Sequence, residues 1–457
     1  MKELEKRGVP TVSLVADHFV ADHRRSAETL GLAALPYARM PNPFVNQDRS
    51  TIWAMVDEGI DDIVAALTTP VHLGNGVLGV ARLPGDPWLS YEGRDLLAAL
   101  DAMNQAFLDG QSGDGFPLVP ATRARVDEML AATTRDRNEV LGLLEPGDGI
   151  ATMEKVAINA VMAGCTPAHL PIVIAAVECL VDPQMGLKRK IISTAPSAPL
   201  VIVNGPVRER ASLNHGPCVL GPGARSHANV VIGRAVRLCL MNIGHTIAGV
   251  SEMDTIGSPN KFGMCVPENE EHSPWEPLHV QRGFDPGQST VSVQFLYGLA
   301  DLQDFTSTQP DDAARRFATG PQYMGVNSTG HWLTGRREDP RYGTVEQEHH
   351  VILVAPEHSK IFGKAGWSKR QLSEALFRHA RIPFGFLRTR LEDKAIRAGH
   401  PELEWLFGSP DALVPVLEDP GCYDIVVAGS PGSNRSGMAW GMGGPVTKAV
   451  TQADLDL

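Results

Sequence analysis

The chain has 457 residues, 43% of them apolar and 21% charged, with a net charge of −12. That length exceeds one ordinary core and calls for two or three domains, in a globular rather than a disordered composition. The acidic balance argues against a sequence-independent grip on nucleic acid, which needs clustered Lys and Arg against phosphates.

The N-terminus, Met1-Lys-Glu-Leu-Glu-Lys-Arg7, lacks the apolar core of a signal peptide. The longest apolar stretch, Pro171–Val181, is too short to span a bilayer and carries Glu178. Six cysteines stand at 165, 179, 218, 239, 265 and 422, with no CxxC pair. This is not a disulfide framework, and a reducing, cytoplasmic setting without membrane contact is expected.

Residues 1–67 read as strand, helix, strand, helix. Pro10–Ala16 is a short β-branched run, Asp17–Leu32 is helical in pattern, Leu35–Met40 is a second strand, and Ser50–Leu67 has apolar residues at helical spacing. This alternation predicts parallel strands with crossover helices. Residues 68–115 hold Pro and Gly punctuation around one helix, Tyr91–Leu108, with a linker or surface loop at 109–115.

The main body starts near Phe116 and runs to 457. Helices are predicted at 122–132, 152–163 and 167–181. A buried strand at Leu200–Asn204, a short helix, a Gly-rich segment at Asn214–Arg225 and a long apolar helix near Asn229–Met241 follow. Further strands are predicted near 262–266, 289–295 and 350–355, helices at 356–364 and 368–380, and two more helices within 402–417. A last strand, Tyr423–Ala428, runs into a Gly-rich segment whose Gly441-Met-Gly443-Gly444 keeps the chain irregular. The fold class is therefore α/β: a small partial α/β domain (1–67), a linker region (68–115) and a larger α/β body (116–457) that could hold two subdomains.

Gly74-Asn-Gly76-Val-Leu-Gly79 matches the dinucleotide fingerprint by letters but lacks the strand before it and the helix after it, so it reads as a turn and supports no nucleotide cofactor. Gly429–Gly437 follows a strand and could cradle an anion with Arg435, although a flexible or interface segment fits as well. Asn214–Arg225 is held open by glycines and prolines, places His215 three residues before Cys218, and precedes a helix N-terminus that could lower a thiol pKa. An ordinary Gly/Pro loop with a buried cysteine is the alternative.

The densest polar cluster runs from Cys265 to His279. Its carboxylates Glu268, Glu270 and Glu271 suit acid/base work, and with Cys265, His272 or His279 they could instead hold a metal ion. A solvated acidic loop capped by Trp275 is the plain alternative. Cys165 could be presented at a helix N-terminus, against the commoner outcome of a buried inert thiol. His349-His350 heads a strand, where adjacent side chains face opposite ways, so at most one points into any site.

Lys2-Glu-Leu-Glu-Lys-Arg-Gly-Val-Pro-Thr-Val-Ser-Leu-Val15, Phe19-Val20, Leu35-Pro-Tyr37 and Pro41-Asn-Pro-Phe44 resemble the latter half of the small UGSC-type (seleno)protein domain. That domain is more distantly similar to selenoprotein B of glycine, sarcosine and betaine reductases. The body resembles the large domain fused behind such domains in bacterial proteins. The matching stretches are Gly115-Phe-Pro-Leu-Val-Pro120, Glu154–Cys165, Val201–Pro206, Gly221-Pro-Gly223, Glu268–Glu271 with Ser273–Leu278, and Gly366-Trp-Ser-Lys369.

The resemblance implies thiol- or selenol-dependent chemistry on a small molecule, such as reductive cleavage of a carbon–heteroatom bond. Site-lining residues are expected among Glu268, Glu270, Glu271, His279, Cys218, His215 and Cys165. The family's Sec/Cys-Gly-Ser-Cys motif has no counterpart in the sequence, so the nucleophile is expected on a separate Cys- or Sec-bearing subunit docking on Pro10–Ala16. Alternatively, an in-frame UGA selenocysteine codon upstream was taken for a stop, leaving Met1 as an artificial start. A homo-oligomer is the other expected assembly. Two further readings are a metal-assisted hydrolase or lyase using the same Cys/His/Glu cluster, and a non-catalytic binding or scaffold subunit.

Overall fold

The computed structural model describes residues 9–29, 34–41, 49–69, 88–334, 347–432 and 434–455. The chain divides into two compact units, Met1–Ala99 with Ile247–Met253, and Leu100–Thr246 with Asp254–Leu457. The fingerprint-like Gly74–Gly79 lies outside the described residues.

The first unit contains β1 (Ser13–Ala16), α1 (Val20–Thr29), β2 (Tyr37–Met40) and α2 (Arg49–Thr68). The two strands pair in parallel, Ser13 opposite Tyr37 and Ala16 opposite Met40, as the strand–helix–strand alternation requires. Gly59 is the buried residue of α2, where the helix packs on Met40, itself fully buried.

The second unit is built on one mixed sheet. Its strands are β5 (Ala198–Asn204), β6 (Met264–Pro267), β7 (Thr290–Gln303), β8 (His350–Val354), β11 (Tyr423–Val427) and β12 (Arg435–Ala449), in the spatial order β11-β8-β12-β7-β5-β6. Two small antiparallel pairs accompany it: β3 (Val140–Leu144) with β4 (Gly149–Thr152), and β9 (Arg381–Pro383) with β10 (Leu413–Pro415). The flanking helices include α3 (Met153–Ala163), α4 (Leu170–Val181), α5 (His227–Asn242), α6 (Pro356–Lys364) and α7 (Lys369–His379).

Every residue of β5, β8 and β11 is buried, as expected of strands whose apolar residues face both ways. Alternation sorts them into two cores. Ile352, Val354, Tyr423, Ile425 and Met438 pack with Phe362, Leu372 and Leu376 of α6 and α7. Val351, Leu353, Val426 and Ala439 face the opposite way and meet Leu200, Ile202, Met264, Val266 and Leu296. Strands from both ends of the sheet thus share one core, so the sheet is strongly curved. At its rim the edges touch: Asn269, just past β6, donates its N–H to the carbonyl of Val427 in β11 at 2.7 Å.

Two sequence expectations fail here. Residues 402–417 hold a 3-10 helix (Pro401–Gly408) and strand β10, not two α-helices. From Arg435 on, the glycine-rich C-terminal segment is the central strand β12, paired to β7 on one side and β8 on the other, while Gly429–Gly432 lie in the loop before it. Its glycines mark register shifts at Trp440/Gly441 and Met442/Val446 rather than an end to the strand.

No single helix among the described residues is long and apolar enough to cross a membrane. The apolar α4 is a core helix, with Leu170 through Val177 all buried.

Candidate functional site

Strands β5 and β6 run in parallel and end together. The ladder continues one residue past β6, with Glu268 N–H donating to Val203 at 3.0 Å. This sets the Glu268–Glu271 turn against Asn204 and Gly205 at the end of β5. Gly205 has φ +81, and a Cβ there would lie 2.3 Å from the Gln288 carbonyl oxygen, so only glycine fits. The turn aims Gly205 N–H at Glu270 Oε1, 2.8 Å away.

The three carboxylates are not free in a solvated loop. Glu268 is fully buried; Oε2 accepts from Asn204 Nδ2 and Leu278 N–H, each at 2.7 Å, and Oε1 accepts from Lys369 Nζ at 2.8 Å. Arg208, from the short helix Val207–Arg210, binds the other two. Its Nη2 donates to Glu270 Oε2 at 3.1 Å and Glu271 Oε1 at 2.9 Å, while Nη1 donates to Glu271 Oε2 at 3.2 Å and to the Glu268 carbonyl at 2.7 Å. Hydrogen bonds from Arg208 hold the half-exposed Glu271 carboxyl down to about 2, so it is ionised at neutral pH.

The loops at 214–225 and 268–279 converge. His215 Nδ1 lies 3.9 Å from Glu271 Oε2, and His215 Nε2 lies 3.3 Å from Glu209 Oε1. Asn269 joins three segments: its Nδ2 donates to the carbonyl of His215 at 3.4 Å and of Gly429 at 2.9 Å, and its Oδ1 meets His272 Nδ1 at 2.9 Å. Gly429 N–H also donates to the His215 carbonyl at 3.1 Å. The rim is thus built by the loop before α5, the loop after β6 and the loop after β11.

The remaining expected residues have different surroundings. Cys218 is exposed, at φ +55, with its carbonyl accepting from Ser226 Oγ at 3.0 Å. Ser226 is therefore turned towards the loop and makes no capping bond to the α5 N-terminus. Cys165 donates to the Val231 carbonyl at 3.4 Å, and desolvation pushes its pKa up, opposite to thiolate activation. His279 is fully buried, and neither ring nitrogen has a hydrogen-bond partner among the described residues; it does not join the carboxylate network. Trp275 packs against Phe362 with ring centroids 6.0 Å apart and donates to the Trp367 carbonyl, the capping role of the plainer reading.

A cavity of about 500 Å³ opens beside the network and is lined by Leu278, Arg282, Lys369, Ser373, Tyr423 and Asp424 among others. Lys369 lines it while its ammonium holds Glu268. Arg282 donates to Asp424 Oδ1 at 2.6 Å, and His349 Nδ1 meets Asp424 Oδ2 at 2.8 Å. Burial opposes charge on His349, but the adjacent Asp424 carboxylate outweighs it and raises the pKa to about 10. His350, facing the other way, lies with Nε2 3.1 Å from Ser328 Oγ, and burial lowers its pKa to about 4.

Sequence reading missed Asn204, Arg208, Asn269, Arg282, Lys369 and Asp424. The signals available were faint: Asn204-Gly205 closing an apolar strand, and Lys369 at a capped helix start, where Ser368 and Gln371 form a capping box.

The UGSC family model matches residues 3–69, the segment that contains β1, α1, β2 and α2. The match supports the UGSC-type resemblance for the N-terminal part; residues 70–457 lie outside it. No curated protein and no solved structure matches the chain.

Proposed function

We propose that the chain is part of a thiol- or selenol-dependent enzyme acting on a small molecule, with reductive cleavage of a carbon–heteroatom bond as its reaction class. The observation that carries this reading is the UGSC match at residues 3–69. The larger unit supports it by bringing His215 and the loop of the exposed Cys218 to a rim of three carboxylates, with a cavity sized for a small molecule alongside.

In this reading a thiolate or selenolate supplied by a partner subunit attacks the carbon, forming a C–S or C–Se bond as the carbon–heteroatom bond breaks and the heteroatom group leaves protonated. A second thiolate then attacks that sulfur or selenium, the C–S or C–Se bond breaks with its electron pair staying on carbon to be protonated, and the disulfide or selenenylsulfide forms. The rim carboxylates and His215 would hold or move those protons. Six unpaired cysteines fit a reducing, cytoplasmic compartment for such chemistry.

The test is to co-express the full chain with a Cys- or Sec-bearing UGSC-motif polypeptide and supply dithiothreitol with a small-metabolite mixture. Dithiol oxidation should match consumption of one metabolite and stop after alkylation with iodoacetamide. Absence of dithiol-linked turnover, or turnover that survives complete alkylation, overturns the reading.

A further inference from the structure

We infer that the cavity beside the start of β11 binds a small organic carboxylate, held between Arg282 and Lys369. This deepens the reading above, since the carboxylate is a substrate only if that reading holds. The cavity measures about 500 Å³, the size of a small-molecule site. Its walls come from the short helix Leu278–Gln281 with Arg282, from the first turns of α7, and from Asp419 to Ile425 at the start of β11.

The hydrogen-bond inventory of the lining is unbalanced. A guanidinium carries five N–H donors and an ammonium three. Among the described residues Arg282 spends one on the Pro445 carbonyl at 3.3 Å and one on Asp424 Oδ1 at 2.6 Å. Its Nε has no partner. Lys369 spends one on Glu268 Oε1 at 2.8 Å. The buried carboxylates are already committed. Asp424 is shared between Arg282 and His349, and Glu268 accepts from Asn204, Leu278 and Lys369. The two cations therefore keep spare donors, and no uncommitted buried carboxylate faces them.

Charge points the same way. Lys369 and Glu268 cancel, but Arg282 and His349 divide the single charge of Asp424. The cavity floor thus holds one positive charge in excess while His349 is protonated, and a charge withdrawn from water favours an opposite one beside it. The carboxylates at the rim do not supply it. Glu374 pairs with Arg370 at 2.8 Å, and Asp419 accepts from Gly421 N–H at 2.7 Å, both at the surface where water and salt screen them.

A carboxylate fits this deficit, because its two oxygens accept paired N–H bonds from a guanidinium and further ones from an ammonium. Leu278 and Ile425, both buried, offer apolar wall to the carbon chain behind it.

The test uses the full chain and three probes in isothermal titration: propionate, its neutral isostere propionamide, and inorganic phosphate. Propionate should bind once per chain with millimolar Kd, and propionamide and phosphate at least tenfold more weakly. Arg282→Lys keeps the charge beside Asp424 but loses the fork, and should raise the propionate Kd about tenfold. Gln281→Trp fills the cavity from an exposed position and should abolish binding with an unchanged circular-dichroism spectrum. Arg370→Gln, at the rim, should bind within twofold of wild type. No saturable propionate binding, equal affinity for propionamide, tighter binding of phosphate, or wild-type affinity in both Arg282→Lys and Gln281→Trp would overturn the inference. Binding is read without turnover, so propionate binding in a chain that lacks dithiol-linked activity would sink the reaction and leave the carboxylate site standing.

Discussion

Lys369 and Glu268 form an ion pair at 2.8 Å with both side chains almost fully withdrawn from water. Such a pair is expensive to make and more expensive to break, because the survivor is left charged and unpaired. Lys369→Met should therefore cost about 3–5 kcal/mol in urea unfolding. The double variant Glu268→Gln/Lys369→Met should recover part of that loss. A single variant within about 1 kcal/mol of wild type would place the pair with ordinary surface bridges instead.

His349 and Asp424 give a prediction in pH. The folded-state pKa of His349 is raised to about 10, above an unfolded value of about 6.5. Its contribution to stability is therefore full below about pH 6.5 and is lost as pH rises towards 10. Asp424 is shifted down, so its contribution is present above the ordinary carboxylate range and lost only in acid. The stability gap between wild type and His349→Gln should shrink from pH 6 to pH 10 in denaturant titrations. A gap that is constant over this range contradicts the pairing. At this scale Glu268, Glu270, Glu271 and His215 stood out in the sequence as a cluster of chemically active residues near strand ends. Arg208 and Lys369 did not, because their partners in the Glu268–Glu271 turn lie 60 to 101 residues away and the local signal, a capping box beside Lys369, is faint.

Among elements, the strands that alternate or run apolar were readable: β5, β8 and β11 lie where their patterns place them. Strand β12 was hidden by its own glycines, which a linear reading takes for a loop. The structure gives these glycines a reason. A Cβ on Gly441 would sit 1.9 Å from the Phe295 carbonyl oxygen of the paired strand, whereas one on Gly437 would meet nothing closer than 3.6 Å. Gly441→Ala should cost about 1–3 kcal/mol or more by forcing the β7–β12 ladder apart. Gly437→Ala should be close to neutral. Equal melting temperatures for the two variants would deny Gly441 this role. The β3–β4 hairpin also escaped the sequence reading, being too short to establish a period, and of the two helices read within 402–417 the structure has one 3-10 helix, Pro401–Gly408, followed by β10.

For the whole molecule, composition and alternation gave the α/β class, and the parallel β1–β2 pair followed from the strand–helix–strand order. What they could not give is the curvature that brings β6 and β11 together through Asn269, since that contact spans 158 residues of sequence between Asn269 and Val427. The curvature matters because it gathers three separate loops into one rim, and the account stands or falls on that rim being where the body works. The most direct measurement is kcat/KM for dithiol-linked turnover in Glu271→Gln beside His331→Gln, which alters the His331–Glu348 pair and leaves the rim intact. At matched folding, Glu271→Gln should lose at least tenfold and His331→Gln should match wild type. Full activity in Glu271→Gln would contradict the claim.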